Sequence, residues 1–281
     1  MNKLLINNLV DKARDFLATQ AALKEVPTRQ LRLEAQTARQ LTSLYQKAFR
    51  ELVTQIEKKG IPSDRSFILA ALRSLKPDVA AILFGGAQTA YGFGDERTVT
   101  ELAVGGIESK GVPLSQATLS NLKSSTLIAS DSTISRMIGN IDGLLTEVYR
   151  QGLSHGEAAN LLRGKFRDMA NYELNRIART EVQRIQNKSA HETILDAGVF
   201  EQWKTAGDDK VRDLHMDLDG QITRPNGMFS NGLRYPLDPA GSAEEVVNCR
   251  CRTVPFIMPS GMMAPPNKEW FYEADLVRRK N

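Results

Sequence analysis

Gly198-Val199-Phe200-Glu201-Gln202-Trp203-Lys204-Thr205 marks the point at which the chain changes character. Before it, apolar residues recur every three or four positions over long stretches, the period of an amphipathic helix. After it come short segments divided by Asp, Gly, Pro and Asn turns, the texture of a small sheet. Val199–Thr205, Gln221–Thr223 and Arg252–Met258 are predicted strands, and Val211–Leu218 is a predicted short helix. The fold class that follows is α+β, a mostly helical N-terminal part followed by a small C-terminal α+β module with a short sheet.

Upstream of this point, Leu31, Ala35, Ala38, Leu41, Tyr45, Phe49, Leu52 and Ile56 predict a helix from Thr28 to Lys59, with Pro27 as the interruption before it. Pro77 can open another helix. Glycines at 85, 86, 92, 94, 105, 106 and 111 predict a looser stretch of loops, tight turns and close helix packing. They form neither a G-x-x-x-x-G-K-S/T nor a helix-opening G-x-G-x-x-G pattern, so no nucleotide cradle is indicated. Helices resume over Ser115–Ala129 and Ser132–Arg150. Ser154 and Glu157 then show capping-box spacing, and a long helix is predicted from Asn171 to Ala197 with Gly198 as its closing glycine. The expected divisions are a helical domain over 1–150, an α+β module over 151–260 and a polar tail over 261–281.

Composition limits the function classes. With 41% hydrophobic and 25% charged residues in 281, the chain falls in the ordinary globular range. Lys and Arg total 37 against 33 acids, a formal +4 that is compatible with nucleic acid but specific for none. The N-terminus lacks the apolar core and cleavage site of a leader, and two cysteines in such a chain point to a reducing compartment. The longest nearly apolar run, Val79–Phe93, is shorter than the ~20 residues that span a bilayer, so no stable membrane insertion is expected.

The unusual chemistry is concentrated late in the chain. Asn248-Cys249-Arg250-Cys251 holds both cysteines, and His215 lies upstream among Asp208, Asp209, Asp213, Asp217 and Asp219. Zinc is bound by four N, S or O ligands; His215, Cys249 and Cys251 supply three, with Asp208, Asp209 or Asp213 as a candidate fourth. A C-x-C pair on a strand sets its side chains about 6.6 Å apart along one face. Sulfurs on one zinc lie closer, so the strand must bend or begin after Cys249. The sequence favours two small buried thiols beside a hydrogen-bonded His215, with zinc, a redox-active pair and a Cys–His–Asp nucleophile as alternatives. His191-Glu192 lacks the second histidine of H-E-x-x-H, which excludes that class of metalloprotease.

Taken in order, Ala178-Arg179-Thr180-Glu181, Gly198, Trp203, Asp208-Asp209, Val211-Arg212, His215 and Asn248-Cys249-Arg250-Cys251 resemble the marks of the phage head-morphogenesis family, the Mu F-like minor head proteins. The family shows A-R-T-E on a helix, a turn into a tryptophan-bearing strand, D-x-x-V-R-x-x-H, and a closing N-C-R-C. The resemblance covers roughly Ser154 to Phe256, and Asp208 or Asp209 would take the family aspartate. It implies a non-enzymatic virion protein, made in the host bacterial cytoplasm. Such a protein would sit at the portal vertex or capsid interior, acting in head assembly, DNA packaging or retention, or ejection. The implied partners are the portal protein, the major capsid or scaffolding protein, and packaged double-stranded DNA held nonspecifically. Arg163, Lys165, Arg167, Arg176, Arg184 and Lys188 are the candidate phosphate contacts, the alternative being a solvated helix face. Arg179 and Glu181 are read as an internal polar scaffold, with Asp209 as an acid for Arg179, and Trp203 is read as a core anchor. The competing reading is a metal-assisted hydrolase or nuclease-like enzyme using His215 and nearby acids. No cofactor is expected other than zinc in the alternative reading.

Overall fold

The computed structural model describes residues 3–279 apart from residue 63, with side chains described from residue 28 onward except at residue 67. The chain divides into two compact units that do not follow chain order. Leu33–Gln88 and Ser115–Glu181 form a helical unit, while Met1–Arg32, Thr89–Leu114 and Val182–Asn281 form a mixed unit. The five long or medium helices are α1 (Lys3–Lys59), α2 (Ser66–Arg73), α3 (Lys76–Val104), α4 (Gln116–Arg150) and α5 (His155–Asp196). Because α1, α3 and α5 each give residues to both units, the division differs from a boundary at residue 150. Among the described residues, no helix is long and apolar enough to cross a membrane.

The helical unit has one core. Leu41, Tyr45 and Ile56 from α1 meet Val79 and Leu83 from α3, Met137, Ile141 and Leu145 from α4, and Leu162 and Leu174 from α5. Phe49 and Phe166 stack within it at 4.5 Å. Heptad-like spacing puts these residues on inward stripes, and burying them is the main driving force for the unit.

Three helix boundaries differ from expectation. First, α1 runs on through Pro27 instead of starting after it, although an interior proline removes one amide donor and crowds the carbonyl four residues back. Second, α4 is continuous through Ser130-Asp131-Ser132, where separate helices ending at Ala129 and starting at Ser132 were expected. Ser130 instead donates to the Lys76 carbonyl and Thr133 donates back to Ala129, which keeps buried hydroxyls satisfied inside a helix. Third, α5 begins at His155 and absorbs the separate helix expected from Asn171. Its start carries the capping box: the Ser154 amide donates to the Glu157 carboxylate at 2.9 Å, and the Glu157 amide donates to the Ser154 hydroxyl.

The glycine-rich stretch from 85 is also helical, as far as Val104. Of its glycines within the helix, Gly86 and Gly94 sit in close contacts, whereas Gly85 and Gly92 face open space. A Cβ on Gly94 would lie 2.4 Å from the Gln186 carbonyl oxygen of α5, so the two backbones touch where no side chain fits.

The mixed unit contains a four-stranded antiparallel sheet in the order β3-β1-β2-β5. The strands are β1 (Phe200–Lys204), β2 (Ile222–Thr223), β3 (Arg252–Phe256) and β5 (Trp270–Phe271). β1 and β3 pair from Phe200↔Phe256 to Lys204↔Arg252. Alternation along β1 sends Glu201 and Trp203 to one face and Phe200 and Gln202 to the other. The Phe200 face is closed by Ile222, Phe256, Ala264, Phe271 and Leu276. The segment 261–281, expected to be a polar tail, therefore contributes β5 to the sheet; β4 (Met262–Met263) and β6 (Val277–Arg278) pair with each other. Its polar composition hid Trp270-Phe271, an isolated aromatic pair too short to show a period.

Candidate functional site

Trp203 and Glu201 share a face of β1, and each anchors a buried group. Trp203 is fully enclosed, with its ring edge-on to His215 at 5.4 Å and to Phe229 at 5.2 Å. His215 projects from α6 (Asp213–Met216), the short helix expected over Val211–Leu218. Leu218, Phe229, Leu233 and Leu237 complete the pocket together with Cys249 and Cys251.

The closing motif reaches His215 through a backbone that bends. Asn248 adopts φ 60°, in the left-handed region that asparagine tolerates better than most residues. β3 starts only at Arg252, so Cys249 and Cys251 lie before the strand and their sulfurs converge. Each Sγ lies 3.5 Å from His215 Nδ1, and the Cys251 amide donates to the Cys249 sulfur at 3.4 Å. All three side chains are buried, at 1% exposure for His215 and Cys249 and 3% for Cys251. Both thiols are free. Hydrogen bonding from Cys251, aided by His215, draws the Cys249 thiol down to about 5, while Cys249 and burial push the Cys251 thiol up.

Three further ties join the aspartate–arginine–histidine mark to the cysteine mark. Asp208 takes both arms of Arg250, and Arg212 donates to the Val247 carbonyl. Asp209 and Asp213 are exposed, and among the described residues no carboxylate joins His215 and the two thiols. The cluster that could hold a metal is thus His215, Cys249 and Cys251, without the aspartate expected as a fourth ligand.

Arg250 holds the Asp208 carboxyl down at about 2, below its ordinary value near 4. A lowered folded-state value gives stabilisation that is present above about pH 4 and lost as pH falls through about 2. Wild type and Asp208→Asn are therefore expected to differ slightly in urea midpoint at pH 7 and to converge near pH 2. A difference that persists unchanged at pH 2 would contradict the pairing.

Helix α5 supplies residues that the motif reading did not single out. Gln183 Nε2 and Asn187 Nδ2 both donate to the Cys251 carbonyl, at 2.9 and 3.0 Å. Asn187 also donates to the Pro236 carbonyl and accepts from the Thr253 amide. One turn further, His191 Nδ1 meets Glu201 at 2.6 Å, and Thr253 donates its hydroxyl to the same carboxylate. Gln183, Asn187 and His191 step by four, so one helix face carries a buried polar ladder. With Arg179 one turn before Gln183 and Arg184 beside it, these amides read in the sequence as surface residues.

The remaining marks lie earlier on α5. Arg179, expected to meet Asp209, pairs with Glu34 of α1 at 3.5 Å. The Thr180 hydroxyl donates back to the Arg176 carbonyl, and Glu181 is half-buried. Of the candidate phosphate contacts, Arg163 pairs with Glu57, Arg167 with Asp168, Arg176 with Glu173 and Lys188 with Glu192. Lys165 is exposed and Arg184 is half-buried. Carboxylates therefore neutralise much of the local positive surplus.

Residues 144–254 match the model of the family described as phage Mu protein F like protein. This segment is Mu F-like. It is less than half of the chain and contains the A-R-T-E helix, Trp203, His215 and the closing N-C-R-C. No curated protein and no solved structure matches the chain. The Mu F-like match ends at Val254, inside β3, so β5 and the Phe200-face contacts from 264 to 276 lie beyond it.

Proposed function

We propose that the chain is a minor head protein of a tailed phage or prophage. In this reading it acts at the portal vertex or capsid interior, in head assembly, DNA packaging or retention, or ejection. The observation that carries the proposal is the Mu F-like match over 144–254, a segment whose motif residues interlock through Asp208–Arg250, Arg212–Val247 and His215 with both cysteines. The helical stretch over 1–150 is the docking part, and the portal protein and the major capsid or scaffolding protein are the partners. Contact with packaged duplex DNA runs through phosphates and is nonspecific.

A non-enzymatic role fits the burial of the chemistry. A hydrolase needs a nucleophile or bound water open to substrate, with acids at hand. His215 is 1% exposed and no described carboxylate joins it.

The test uses gradient-purified particles from a host carrying the phage, compared with particles from a strain deleted for this gene. The expected result is that mass spectrometry finds the chain in wild-type heads at a few copies per particle. Immunogold should label one vertex, and heads from the deletion strain should lose DNA or fail to eject it. Absence of the chain from purified heads, with unchanged infectivity in the deletion strain, would overturn the proposal.

A further inference from the structure

We propose that His215, Cys249 and Cys251 bind one zinc ion, which staples the mixed unit. The site is independent of the virion reading and stands or falls without it.

The geometry is that of a zinc tetrahedron with three corners filled. A Zn–N bond of about 2.0–2.1 Å and a Zn–S bond of about 2.3 Å, set at the tetrahedral angle, place nitrogen and sulfur about 3.6 Å apart. His215 Nδ1 stands 3.5 Å from Cys249 Sγ and 3.5 Å from Cys251 Sγ. The three donor atoms all lie within 4.8 Å of one another. Imidazole with two thiolates is a soft set suited to zinc and unsuited to magnesium or calcium.

The convergence is enforced from several directions. Asn248 turns the backbone with φ 60°. The Cys251 amide donates to the Cys249 sulfur, an N–H···S bond that stabilises a thiolate. Gln183 and Asn187 clamp the Cys251 carbonyl, and Trp203 fixes the imidazole edge-on. These are partners that orient ligands rather than bind the ion.

Hydrogen bonding alone accounts poorly for the same atoms. It leaves one imidazole nitrogen, able to give or take a single hydrogen bond, facing two sulfurs at the same 3.5 Å. A cation between the three donors explains why all of them point to one place. The unit also has reason to need a staple, since its sheet strands run two to five residues and the cluster around Trp203 holds only seven. Three protein ligands leave one corner to a water molecule, and the burial of all three keeps that corner away from a substrate.

The test uses the full-length chain purified without chelator. One zinc per chain is expected by inductively coupled plasma analysis and by native mass, with loss of the ion in Cys249→Ser and Cys251→Ser. Stripping zinc with a chelator should lower the Tm by roughly 10 °C, and re-adding zinc should restore it. If the serine variants do not fold, wild-type protein titrated with an organomercurial should release zinc in step with thiol modification. Folded protein that takes up no zinc and whose Tm ignores added zinc would overturn the proposal. So would a native mass two hydrogens lighter, which means a Cys249–Cys251 disulfide, or copper in place of zinc.

Discussion

Glu201→Ala is expected to destabilise the mixed unit by about 3–5 kcal/mol. The carboxylate is 2% exposed in the middle of β1 and is held by His191 at 2.6 Å and by the Thr253 hydroxyl. Truncation leaves both partners buried without their acceptor, and each orphaned group costs about 1–3 kcal/mol. The register amplifies the loss. Thr253 pairs across the sheet with Trp203, and its amide also donates to Asn187. Glu201→Gln keeps the volume and one acceptor oxygen, so it should lose clearly less. Urea unfolding followed by circular dichroism measures both variants. A Glu201→Ala protein within about 1 kcal/mol of wild type would mean that the network contributes little.

Trp203→Ala is expected to cost about 3–5 kcal/mol and to open the thiol cluster. The ring has no exposed surface and packs edge-on against both His215 and Phe229. Removing it leaves a cavity beside Cys249 and Cys251, now 1% and 3% exposed. The variant has two independent signatures. Its unfolding midpoint should fall, and a thiol reagent should label both cysteines under native conditions much faster than in wild type. Trp203→Phe, which retains a ring, should recover most of the midpoint and part of the protection. Slow labelling in Trp203→Ala would show that the thiols are sealed by something other than this ring.

Much of this architecture was legible in the sequence, for identifiable reasons. β1 and β3 fall inside the expected Val199–Thr205 and Arg252–Met258, segments set off by turn residues, although neither five-residue strand alternates apolar and polar residues. For both sulfurs to reach one ion the strand had to bend or begin after Cys249, and β3 opens at Arg252. Ser154 and Glu157 form the expected cap because that motif depends only on residues three apart.

What was hidden depends on neighbours distant in sequence. Gly94 looks like a helix breaker until Gln186 lies against it. Ser130 looks like a boundary until the Lys76 carbonyl accepts its hydroxyl. Gln183 and Asn187 look like surface amides on a helix, and only the Cys251 carbonyl shows why they are buried. His191 stood out only as half of an incomplete H-E-x-x-H motif, and its partner lies ten residues away on β1.

The position of β5 has a practical consequence for handling this protein. A fragment cut at the end of the Mu F-like match would keep every motif residue and still lack a strand of the sheet. β2 would then present unpaired amides and carbonyls along its outer edge, beside an uncovered Ile222 and Phe200. Such an edge is a template for pairing with another copy. A chain truncated after Val254 should aggregate, whereas one truncated after Leu276, which keeps the sheet and the parts of α1 and α3 that belong to its unit, should stay dispersed. The stretch that carries the motifs and the sheet that completes its packing therefore have different ends.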